Sequence, residues 1–179
     1  MKIIFIVIIT VLLSVNLTRA QELPTKEPIG GETFGHSVKQ ISDDLYVFRW
    51  WVYRNIFLIT DEGVIVTDPM NPKAAKLLQS EIRKITDKPI KYVIYSHNHH
   101  DHISGGNIFK EEGAKFIGHK NLLKELTDHP NPVTPLPDIT FYNNYTLKLG
   151  NRTVELFYFG PNHGESLIVM RIPKEKILF

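Results

Sequence analysis

Tyr92-Val93-Ile94-Tyr95-Ser96-His97-Asn98-His99-His100-Asp101-His102-Ile103-Ser104-Gly105-Gly106 is the stretch that decides the fold. It sets four imidazoles and a carboxylate in six consecutive positions, directly behind an apolar, β-branched run. Lys91 to Ser96 reads as a short buried strand. In extended backbone His97 and His99, two apart, point to the same side, while Asp101 and His102 follow as the chain turns away. Neutral imidazole nitrogens and carboxylate oxygens are ligands that zinc accepts, and three protein ligands plus a water make an open, catalytic coordination. The competing reading is a solvated histidine-rich loop. We take the metal-binding one.

The H-x-H-x-D-H pattern at the end of a strand, followed by Gly105-Gly106, resembles the metallo-β-lactamase superfamily. Three further pieces match in the right order. Gly63-Val64-Ile65-Val66-Thr67-Asp68-Pro69 resembles the family's first motif, a strand ending in Asp. Asn55 with Phe57-Leu58-Ile59 resembles the preceding hairpin strand, and Phe159-Gly160-Pro161-Asn162-His163-Gly164 resembles the third motif. The resemblance covers about Val38 to Phe179. It implies an α/β fold, the αββα sandwich, of which this chain would supply the first sheet, part of the second and some of the helices.

The resemblance also implies a site. His97, His99 and His163 would hold one zinc, whose bound hydroxide would attack a lactam, lactone or other ester-like bond. Asp101 and His102 would begin a second metal position, with Asp101 also orienting the nucleophile. The order Asp101-His102 resembles the di-zinc pattern of glyoxalase II, lactonases and one β-lactamase subclass, and departs from the subclass that relies on cysteine. In the family an Asp or Cys and a later His complete the second position. The sequence stops at Phe179, before either, so it reads as the N-terminal part of a longer protein; a natural terminus docked as an edge strand is the alternative. Asp68 would support the ligands by hydrogen bonds, or simply end a strand before Pro69. His100 is expected to point away from the metal. His36, His119 and His129 match no motif and read as ordinary surface histidines.

Trp50, Trp51 and Tyr53 fall near the tip between two strands, where the family often places a flap over the substrate. Sheet-face packing accounts for them equally well. Elsewhere the elements alternate. Val38 to Thr67 reads as a β-meander with turns at Asp43-Asp44 and Asp61-Glu62-Gly63. Asn71 caps a helix with Pro72 at its first position and Ala74, Leu77, Leu78, Ile82 and Ile85 along one face to Thr86. Helices over Gly106–Glu112 and Lys120–Leu126 bracket a strand over Ala114–Gly118, which implies a partly parallel sheet. Ligands of such sheets sit beyond the strands' carboxyl ends, where Asp68 and His97 fall. Asp128 to Asp138 carries four prolines and reads as a stiff loop. Tyr145–Leu149 and Thr153–Phe159 flank Gly150-Asn151 as a hairpin. Ser166–Ile172 and Ile177–Phe179 read as strands around a turn at Pro173–Lys176.

Lys2, the apolar run Ile3–Leu13 and Ala20 describe a secretory signal peptide cleaved after Ala20, with export to the periplasm or medium as the consequence. The run is short for a membrane span, although an uncleaved anchor is the other reading. Residues 21–37 read as a flexible leader and 38–179 as the domain. Taking Lys2 and Arg19 from the 21 basic residues leaves 19 against 19 acidic ones. No basic stripe is left to favour nucleic acid or an anionic membrane, so a small molecule is the expected partner. With no cysteine there are no disulfides, and packing must supply stability. Two functions follow: a secreted zinc hydrolase, or a non-catalytic metal-binding half-domain that needs a partner or the missing C-terminal part.

Overall fold

The computed structural model describes residues 35–179. The expected signal peptide and residues 21–34 of the leader lie outside them. Strands β1 (His36–Gln40), β2 (Leu45–Trp50), β3 (Tyr53–Ile59) and β4 (Val64–Thr67) form the expected antiparallel meander. It begins two residues ahead of the anticipated start. Helix α1 (Pro72–Ile85) carries the chain to β5 (Ile90–Ile94), which pairs parallel with β4. The short helices α2 (His100–Ile103) and α3 (Asn107–Glu111) precede β6 (Lys115–His119), and α4 (Lys120–Asp128) precedes β7 (Ile139–Phe141). These strands make one seven-stranded sheet in sequence order, parallel from β4 onward. A second sheet holds β8 (Asn144–Leu149), β9 (Arg152–Tyr158), β10 (Ile168–Ile172) and β11 (Ile177–Leu178), antiparallel throughout.

The central strands are apolar on both faces because both are covered, the pattern expected of a sheet between two layers. Val64, Val66 and Val93 face α1, α3 and α4, whose Leu78, Ile82, Phe109, Leu122 and Leu126 join them in one core. Ile65, Ile94 and Ile117 point the other way and meet Leu147, Val154, Leu156, Met170 and Ile172 of the second sheet. A period of two thus splits each strand between two cores. Every buried helical residue belongs to the first core, so the layers run helices, seven-stranded sheet, four-stranded sheet.

Asn71 caps α1, its Oδ1 accepting from the amides of Lys73 and Ala74 at 3.0 Å. The apolar stripe differs slightly from expectation: Ala75 is buried while Ile85 is exposed. The helical turn α2 has no counterpart among the expected elements, since four residues are too few to show a periodicity. The proline-rich loop is tied to the segment before β6 by Tyr95 Oη donating to Pro135 O and Gly105 N to Val133 O. Among the described residues no helix is long and apolar enough to cross a membrane.

Candidate metal centre

The carboxyl ends of β4 and β5 lie side by side, and the chain beyond each carries polar groups. Past β5 the chain bends at His97 and Asn98 and is extended again at His99 before α2 begins. The loop after β9 brings His163 to the same place, and the ligand nitrogens of His97, His99 and His163 all lie within 4.8 Å of one another. Their rings sit 4.6 to 5.3 Å apart, centre to centre. His97 is buried, His99 half-buried and His163 exposed, so the group opens to solvent on one side.

A chain of hydrogen bonds sets the state of His97. The Ser96 amide donates to Asp68 Oδ1 at 2.8 Å, and its hydroxyl donates to Asp68 Oδ2 at 2.5 Å. Ser96 Oγ lies 2.8 Å from His97 Nδ1. With the hydroxyl proton given to Asp68, Nδ1–H must donate to Ser96 Oγ, and Nε2 keeps its lone pair. That Nε2 is buried and has no hydrogen-bond partner. Burial, helped by the neighbouring imidazoles and opposed by Asp68, pushes the His97 pKa down to about 4. At neutral pH His97 is therefore an uncharged base with an unpaired buried lone pair beside two further imidazoles. Such a donor set fits a borderline-soft cation.

Asp68 occupies the left-handed region at φ 30°, which Asp adopts more readily than most residues. Its carbonyl accepts from Asn55 Nδ2 at 2.9 Å and its amide donates to Ile94 O at 3.1 Å, so β3 and β5 both hold it. His102 Nδ1 stands 3.6 Å from Asp68 Oδ2, and that carboxylate raises the His102 pKa. The His102 ring lies 4.4 Å from that of His97. Burial pushes the Asp101 carboxyl up, but its own amide, the Tyr53 hydroxyl and His102 and His99 outweigh this and leave it below the ordinary value. Asp101 and His102 thus stand beside the three-histidine group rather than within it.

Trp50, Trp51 and Tyr53 sit at the β2–β3 tip, Trp51 in the left-handed region at φ 55°. Together with Met70, His100 and Asp101 they line a cleft of about 370 Å³. Trp50 and Tyr53 also pack on the first core, so sheet packing and cleft lining coincide. Tyr53 meets His102 edge-on at 5.7 Å. His100 is exposed and lies 3.3 Å from Asn131 Nδ2, away from the cluster. His36 pairs with Glu81 on α1, and His129 is exposed. His119 corrects the sequence reading. It is buried, stacked on Tyr158 at 3.7 Å, with Nε2 2.7 Å from Tyr142 O and Nδ1 accepting from Asn121 N. It ends β6 and caps α4, a position where a side-chain acceptor satisfies free helix amides. Ser96 was missed, because a serine next to a histidine carries no signal until a distant Asp68 defines which way its hydroxyl points.

The sequence profile of the metallo-beta-lactamase superfamily matches residues 49–179. Two proteins named Metallo-beta-lactamase type 2 are each 30% identical to this chain. That of Elizabethkingia meningoseptica aligns over 158 residues, 83% of this chain and 62% of its own length. That of Bacillus cereus aligns over 175 residues, 92% of this chain and 67% of its own. The chain therefore spans about two thirds or less of these relatives. The solved structure of a metallo-beta-lactamase from Pontibacter korlensis superposes with a TM-score of 0.73 at 21% identity, over 81% of this chain and 70% of that one. Metallo-beta-lactamase IND-7 gives 0.71 at 18% identity, over 82% and 71%. Both share the fold described above.

Proposed function

The chain belongs to the metallo-beta-lactamase superfamily, and from that premise we propose that it is an exported zinc-dependent hydrolase of lactam, lactone or other ester-like bonds. The observation that carries the proposal is the buried, unpartnered Nε2 of His97 grouped with His99 and His163. These three residues would hold a zinc ion, and Asp101 with His102 would begin a second position. Bound there, zinc supplies Lewis acidity toward a carbonyl oxygen and lowers the pKa of water to roughly 7. The protein's own groups do the rest. Burial keeps His97 neutral, and Asp68, through Ser96, fixes its tautomer and turns Nε2 toward the centre. The Tyr53 hydroxyl steadies Asp101, whose carboxylate stays ionised to orient the nucleophile.

The cleft walled by Trp50, Trp51, Tyr53 and Met70 would receive an apolar part of a small-molecule substrate. A β-lactam suits an exported enzyme, and the names of the 30%-identical relatives support it; a lactone suits the residues equally. Export itself rests on the signal-peptide pattern of residues 1–20.

His99→Ala is the direct test. Loss of both zinc binding and hydrolysis is expected, measured on a panel of nitrocefin, a lactone and a phosphodiester. Hydrolysis retained by that variant would overturn the mechanism. Zinc binding by the unaltered chain without turnover of any panel member would favour the non-catalytic, metal-binding reading.

A further inference from the structure

His163 is the ligand with the least support of its own. The loop before it, Phe159 to Asn162, hydrogen-bonds mainly to itself: Asn162 Nδ2 donates to Gly160 O, Asn162 N to Gly164 O, and His163 N to Asn162 Oδ1. The anchoring begins only after the histidine. Glu165 O accepts from Asn121 Nδ2 at 2.8 Å and from Tyr158 Oη at 3.0 Å, and Ile168 N donates to Ser96 O at 2.9 Å. Gly164, directly after His163, and Ser166, between the two anchors, both meet one side chain, Asn98.

Asn98 stands between His97 and His99, where the chain bends, and its side-chain oxygen faces Gly164 and Ser166. Buried Ser166 donates its hydroxyl to Asn98 Oδ1 at 3.3 Å. A Cβ on Gly164 would come within 2.7 Å of that same oxygen and 3.9 Å of His97 Cδ2. The glycine is thus what lets the loop close onto the His97–His99 segment, and Asn98 is the surface it closes on.

We propose that Asn98 is a positioning residue that, through Ser166 and the bare backbone of Gly164, clamps the His163 loop to the segment after β5 that carries His97 and His99. The otherwise unremarkable residue between two ligands then sets the third. The proposal rests on the metal-centre reading above, with Asn98 acting on ligand geometry and touching neither metal nor substrate.

The test uses the full chain, stripped of metal and titrated with zinc against a chromophoric chelator, with the visible ligand-field band of the cobalt form as a second readout. Asn98→Ala and Gly164→Ala are each expected to weaken zinc about tenfold to a hundredfold, the range typical of groups that orient ligands. The cobalt band should shift or lose intensity, while far-UV circular dichroism and Tm stay close to those of the parent. Because Ser166 acts through Asn98, adding Ser166→Ala to Asn98→Ala should cost nothing further. Parent-like zinc affinity and an unchanged cobalt band in Asn98→Ala would overturn the clamp and leave the metal centre standing. An additive loss in the double variant would also overturn it. Failure of the unaltered chain to bind zinc would remove the metal-centre reading itself, and the clamp with it.

Discussion

Ser96 is the residue on which the His97 lone pair depends. Its hydroxyl bridges the Asp68 carboxylate to His97 Nδ1, so removing it frees the imidazole to take either tautomer. Ser96→Ala is expected to weaken zinc binding about tenfold or more with the fold intact, read by competition titration. His119 makes a different prediction. Burial holds its pKa below the ordinary 6.5, so the unfolded chain takes up a proton that the folded one refuses. Its contribution to stability is complete above pH 6.5 and is lost progressively as pH falls below that value. Urea midpoints measured from pH 7.5 to 5 should fall more steeply for the parent than for His119→Gln. Equal slopes would contradict the assignment. The clustering of His97, His99 and His163 was expected from the resemblance, whereas the burial of His119 could not be read. It depends on Tyr158, 39 positions away, closing over the ring.

At the scale of elements, α1 was legible from end to end because its signals are local: an Asn cap, a proline at the first turn and a stripe of apolar residues. Asn71→Ala should cost about 1 kcal/mol, the usual worth of such a cap, measurable by chemical denaturation. The turn into α2 and α3 is held by a contact that no local signal announces. Gly105 has φ 85°, and a Cβ there would fall 2.3 Å from the carbonyl carbon of Asn71. Gly105→Ala combines left-handed strain of about 1–3 kcal/mol with that overlap, and should destabilise more than the loss of the cap does. The β2–β3 tip shows the limit of alternation as a guide. Trp50 and Tyr53 satisfy core packing and cleft lining together, so no face assignment made from sequence could separate the two roles.

Across the whole molecule, the two sheets are joined at the end remote from the metal centre by buried Arg152 at the start of β9. Its guanidinium pairs with Asp44 in the β1–β2 turn and takes both oxygens of Glu175 from the β10–β11 turn at 2.6 and 2.7 Å. Glu175 also accepts from Ser42 at 3.0 Å. Arg152→Met would leave buried Glu175 without its cation and Asp44 with Lys174 alone, at a cost of about 3–5 kcal/mol seen in a lowered Tm. Asp44 is held below its ordinary pKa, burial being outweighed by Arg152 and Lys174. The stability it provides is present above pH 3.8 and is lost as pH falls through its lower folded value. The Tm difference between parent and Arg152→Met should consequently narrow as pH falls below 3.8.

The sequence by itself determined the order of the strands and helices, α2 and β7 excepted, the parallel run from β4 to β6 and the residue types at the candidate metal centre. Periodicity, capping and ligand spacing act over a few residues and are written along the chain. Tertiary structure alone decided how His163 reaches His97, which tautomer Ser96 and Asp68 impose, that His119 is buried, and that Arg152 joins the sheets. Each of these depends on groups many positions apart that meet only when the two sheets pack face to face.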